Sequence, residues 1–164
     1  MSFKCKIISL IPVLFFICGF MYIPQGHFGT LLIPDACIGT EIYVGNIYDA
    51  RDLQYIVDRN NSCALLYIPG GTDNIILADH KNQGFEGIKS LEYGSFVYIF
   101  TENYIDIYSV TGKDYSGTNI MSPKYSSGTS VYNNIDGSLV LYTCNENPES
   151  ITIVTCSKYG SFPR

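Results

Sequence analysis

The chain has 164 residues, a net charge of -5 and a sequence pI near 4.8. Its 10 Lys and Arg residues are scattered, with no basic cluster or basic helix face, which excludes nucleic acid as an expected partner because phosphate neutralisation needs grouped cations. Tyr is abundant at 14 residues, Gly stands at 15 and Trp is absent. Tyr, Ile, Val and Thr favour strands, and Gly, Asn, Asp and Ser supply turns. No segment sustains a helical period, so a mainly β domain is expected. No CxxC, HExxH or carboxylate-rich loop points to a metal, and nothing implies a cofactor.

Taken in order, Ser2 to Lys6 is a positively charged n-region (1–6). Residues 7–23 form an uncharged apolar run of 17 residues, broken only by Pro12 and Gly19. A cleaved signal peptide has a shorter core and a small-residue cleavage site, whereas a spanning helix needs ~17–25 residues. The expectation is an N-terminal hydrophobic helix that anchors the chain, with Lys4 and Lys6 held inside. A cleaved signal and a secreted domain is the alternative. Residues 24–28 read as a linker containing a solvated His27, and 29–164 as one domain.

Within that domain, Gly29–Pro34 and Ile38–Val44 read as strands. The spacing of Ala50, Leu53, Ile56 and Val57 predicts a short helix after Asp49. Ser62–Ile68 and Ile75–Ala78 follow as strands, and Phe96–Phe100 with Tyr104–Val110 as a hairpin. Lys113–Asn134 reads as a long loop, just before the next strand, that can wall a cleft beside Cys144. Asp136–Cys144 alternates, with Leu139, Leu141 and Thr143 on one face and Val140, Tyr142 and Cys144 on the other. Ser150–Cys156 is the last expected strand, before a polar tail from Ser157 to Arg164.

Two of these strands end in chemistry. Cys144 closes one, just before the polar run Asn145 to Pro148, where a thiol is held rigidly yet opens toward solvent. Ile75–Ala78 runs into Asp79 and His80, one of only two histidines in the chain. The pair suits acyl transfer, with Cys144 as nucleophile and His80 as its proton partner. Asp79 either orients the imidazole or faces solvent as a turn residue. Cys37 and Cys63 are expected as small core residues.

The ordered set resembles the sortase family. Gly29-Thr-Leu-Leu-Ile-Pro34 is similar to its first strand, Ala78-Asp-His80 to the segment carrying its His, and Leu141-Tyr-Thr-Cys144 to its Thr-Leu-x-Thr-Cys signature. Phe85 and then Leu91-Glu-Tyr-Gly94 follow in the usual order. The resemblance implies a closed β-barrel of about eight strands with one or two short helices. It implies a membrane-anchored, extracellular cysteine transpeptidase, a thiol protease-like enzyme of the Gram-positive cell envelope. Such an enzyme cleaves the peptide sorting signal of a secreted protein and passes it to an amine acceptor. A monomer is expected. Asp79, Phe85, Thr143 and Thr152 would then border the substrate.

Ile151-Thr-Ile-Val-Thr-Cys156 matches the signature as a string too, making Cys156 the alternative nucleophile. Cys144 is preferred because a further strand follows it. The chain departs from the family at one place. Sortases carry an Arg near the start of the closing strand, where this chain has Ser150, Ile151 and Thr152. Arg164 is the proposed replacement cation, with Arg59 and Lys81 as others. A catalytically weakened sortase-fold protein that binds a peptide or envelope partner is therefore the alternative function.

Overall fold

The computed structural model describes residues 26–46, 50–59, 61–67, 75–117, 123–133, 138–147 and 150–164. The expected n-region, hydrophobic helix and Pro24 lie outside them. Among the described residues, no helix is long and apolar enough to cross a membrane.

Eight strands close into a barrel: β1 (His27–Ile33), β2 (Ile38–Asn46), β3 (Ser62–Tyr67), β4 (Ile75–Ala78), β5 (Phe96–Phe100), β6 (Tyr104–Ser116), β7 (Ser138–Cys144) and β8 (Ile151–Pro163). Their order around the barrel is β1-β2-β3-β4-β7-β8-β6-β5. Parallel pairing joins β2 to β3 and β4 to β7. A parallel neighbour cannot be reached by a tight hairpin. The connection from β2 to β3 accordingly carries the helix α1 (Ala50–Val57).

The alternation of β7 sets two apolar layers. Leu139 and Leu141 point into the barrel with Leu31, Ile33, Leu77, Ile99 and Val154. Val140 and Tyr142 point outward, where Ile76, Ile151 and Ile153 join them beneath Leu53, Ile56 and Val57 of α1. Burying one such side chain, for example Ile56, stabilises by about 1.5–3 kcal/mol. Gly45 makes this roof possible: a Cβ there would sit 2.5 Å from Leu53 Cδ2 and 3.1 Å from Ile56 Cδ1.

Several expectations change. The barrel begins at His27, which is no solvated linker residue: its Nε2 meets Glu41 Oε2 at 2.5 Å, and its ring stands edge-on to Tyr43. The supposed polar tail continues β8 to Pro163, paired with β6 through two register shifts. Ladder hydrogen bonds to a long neighbour carry a sequence whose composition alone reads as coil. Likewise Lys113–Ser116 belong to β6, and the segment from Pro123 to Asn133 is pinned by the fully buried Val131. Cys63 is fully buried as expected, whereas Cys37 is exposed in a left-handed turn after β1.

Candidate active site

The parallel β4–β7 pair assembles the site. Ala78 pairs with Tyr142, so His80 lies two residues beyond one partner and Cys144 two beyond the other. The ladder extends past the strand end, the Asp79 N–H reaching the Tyr142 carbonyl at 3.5 Å. Neighbouring strands lie ~4.8 Å apart, so two residues 64 positions distant in sequence reach the same edge. Their parity also agrees. Ile76, Ala78 and His80 share a face with Val140, Tyr142 and Cys144, and that face is roofed by α1. The result is a cleft of about 110 Å³ whose lining includes His80, Cys144, Asp79, Thr143, Leu53 and Gln54.

Cys144 is a free thiol and half-buried. Burial pushes its pKa up, while the Lys81 ammonium, its own backbone N–H and, least, Lys89 pull it down. Cys156 is also free but fully buried. It faces the barrel interior beside Val154, and burial pushes its pKa up to about 12. It does not line the cleft.

Other residues named from sequence take different places. Asp79 is buried and points inward; its Oδ1 accepts the His80 backbone N–H at 2.7 Å rather than the imidazole. Burial raises its pKa to about 7 against the opposing pull of that hydrogen bond. Its other carboxylate oxygen packs on Gly84, where an added Cβ would sit 2.1 Å from it and force it to shift. Asp79 is thus neither a solvated turn residue nor the partner of the ring.

Thr143 is buried, and its hydroxyl donates to the Asp79 carbonyl at 2.8 Å. That bond ties the end of β7 to the segment carrying His80. Thr152 is fully buried and donates to Asn145 Oδ1 at 2.6 Å, closing the turn between Cys144 and β8. Phe85 is fully buried in the barrel core, within a 3-10 turn spanning Phe85–Ser90. Thr152 and Phe85 stand outside the lining of the cleft, and Thr143 meets it as a buried residue.

Arg164 lies beyond the far end of β8, where its Nη1 donates to the Thr101 carbonyl at 3.4 Å. Ile151, at the near end, is the residue paired with Cys144. At ~3.3 Å per residue the 13-residue strand between them spans several tens of ångströms, so Arg164 cannot serve Cys144. Arg59 stacks over the rings of Tyr43 and Tyr55. Lys81, next to His80, reaches Glu146 Oε2 at 3.2 Å, joining the segment after β4 to the one after β7.

The partners of the His80 ring were not found from sequence. Its Nε2 lies 3.1 Å from Asp58 Oδ1 and 3.3 Å from Gln54 Nε2. The one sequence signal was an acid directly after the last apolar residue of a helix, where an acid is disfavoured.

No protein-family model matches the chain, and no curated protein matches it. Solved structures do. Sortase E1 from Streptomyces coelicolor, solved with a tripeptide in the active site, superposes with a TM-score of 0.66 at 19% identity, covering 88% of this chain and 94% of that one. Sortase A from Listeria monocytogenes gives 0.65 at 15%, covering 85% and 92%. The SrtA sortase from Actinomyces oris gives 0.62 at 15%, covering 89% and 86%. The chain has the sortase fold.

Proposed function

We propose that this protein is a cysteine transpeptidase of sortase type, with Cys144 as nucleophile and His80 as general acid–base. The observation that carries this reading is the shared cleft: Cys144 is the free cysteine that lines it, and His80 lines it too. The thiol gives its proton to the imidazole, and the thiolate attacks a peptide carbonyl. The imidazolium protonates the leaving amine. An incoming amine, or water, then resolves the thioacyl-enzyme. The substrate would be the sorting signal of a secreted protein. The barrel would stand outside the cell on an anchor formed by residues 7–23.

The test is intact-mass detection of a thioacyl adduct on the full chain, incubated with a panel of sorting-signal peptides without an acceptor amine. An adduct that Cys144→Ala abolishes and Cys156→Ala retains is expected. An adduct on Cys156 would overturn the assignment. The second reading, peptide binding without turnover, is favoured by Ser150, Ile151 and Thr152 where a cation would face Cys144. A missing preorganised donor of that kind typically costs ~100–1000-fold in rate. Saturable peptide binding with no adduct would select it.

A further inference from the structure

The C-terminal turn of α1 breaks a local rule. Asp58 follows Val57, the last helical residue, and its N–H still bonds the Gln54 carbonyl at 2.9 Å. A carboxylate there faces the negative end of the helix dipole, at a cost of up to about 1 kcal/mol. Local rules are broken where something else is gained. Here the gain is a convergence on one oxygen. Gln54 Nε2 donates to Asp58 Oδ1 at 2.7 Å, and His80 Nε2 lies 3.1 Å from that same oxygen. Two nitrogens therefore converge on Oδ1, and Gln54 Nε2 also stands 3.3 Å from His80 Nε2.

We propose that Asp58, fixed by Gln54, is the positioning residue of the His80 imidazole. This rests on the reading of His80 as the proton partner of Cys144. Asp58 accepts the Nε2–H, so the neutral ring keeps its lone pair on Nδ1. The proton leaving the Cys144 sulfur then arrives at Nδ1. The resulting imidazolium still donates Nε2–H to Asp58, and Nδ1 later returns its proton to the leaving amine. The helix end that disfavours Asp58 alone favours this cation. The other charged groups around the ring fit the assignment. Asp79 is turned inward onto backbone, Lys81 is engaged by Glu146, and Cys144 lies across the cleft. The arrangement gives α1 a second role: the helix that roofs the cleft also sets the tautomer of the base.

The experiment uses the full chain and reads the ring directly. Nitrogen-15 shifts of the imidazoles report which ring nitrogen carries the proton, with His27, the other histidine, as internal reference. In the wild type, neutral His80 should be the Nε2–H tautomer. Asp58→Ala should shift population toward Nδ1–H, and Asp58→Glu should restore part of it. In thioacyl formation, Asp58→Ala should lower kcat about 10-fold with little change in KM, less than the ~100–10,000-fold that general acid–base catalysis supplies as a whole. Gln54→Ala should give a smaller fall of the same kind. Asp58 is more than half exposed, so the fold should tolerate its loss, and an unchanged melting curve checks this. A His80 tautomer indifferent to Asp58 would overturn the proposal whatever the activity. If the tautomer responds but no thioacyl species ever forms, the clamp stands and the catalytic reading fails.

Discussion

Cys144 and Cys156 end the same tripeptide pattern, an apolar residue followed by Thr and Cys, on adjacent antiparallel strands. One is half-open in a cleft and the other is fully enclosed. Two features separate them. Cys144 closes β7, so the chain turns away just beyond it, whereas Cys156 lies in the middle of a 13-residue strand with neighbours on both sides. The second feature is parity: Cys144 shares the outward face of Val140 and Tyr142, and Cys156 the inward face of Val154. A thiol's chemistry is therefore set by register and strand length rather than by the residues beside it. Reactivity needs both the thiolate and access to it.

The largest expected effect is the contrast in alkylation. Iodoacetamide on the native full chain should modify Cys144 at least about 100-fold faster than Cys156, which can react only when the barrel opens. Peptide mapping by mass spectrometry checks this. Comparable rates would mean that the barrel interior is open to solvent, and the comparison would collapse.

A second effect tests the cost of charge on the inward face, which Asp79 shares with Cys156. The folded pKa of Asp79 is about 7, raised by burial from 3.8. A raised folded value means that the folded state binds the extra proton. The contribution is complete below about pH 4 and is lost as pH climbs through 7. At about 1.4 kcal/mol per pKa unit, the wild type should lose on the order of 3–4 kcal/mol across that window. Asp79→Asn keeps the acceptor for the His80 N–H and should flatten the profile. Denaturant titrations at pH 4 and pH 8 measure it, and equal slopes with pH would refute the assignment.

The smallest effect sharpens the outward side. Lys81 is the leading described charge that pulls the Cys144 thiol down. Lys81→Ala should slow alkylation of Cys144 at pH 7 several-fold and leave Cys156 untouched. The wild-type advantage should shrink in high salt, since exposed charges are screened beyond ~8–10 Å. An unchanged rate would remove Lys81 as the cation of this site.

Much of the barrel was legible because alternation and turn residues act locally. The strands at Gly29, Ile38, Ser62, Ile75 and Phe96, the helix before Val57 and the two faces of β7 all followed from spacing. The extension of β8 to Pro163 and of β6 to Ser116 did not. Gly160 and Pro163 weaken a strand on their own, and pairing with a long neighbour overrides that weakness.

The site divides in the same way. Sequence alone determined the candidate pair: a thiol at one strand end and an imidazole just past another. Side-chain alternation is a property of the backbone itself and needs no partner. Only the tertiary structure decided that β4 and β7 run parallel with Ala78 opposite Tyr142, which brings His80 and Cys144 to one edge. The fold also placed Arg164 at the wrong end of β8, turned Asp79 inward, and set Asp58 against the imidazole. These outcomes depend on which strands pair and on where α1 lies across the sheet. Those choices are made by burial summed over the whole barrel, and no local stretch of sequence carries them.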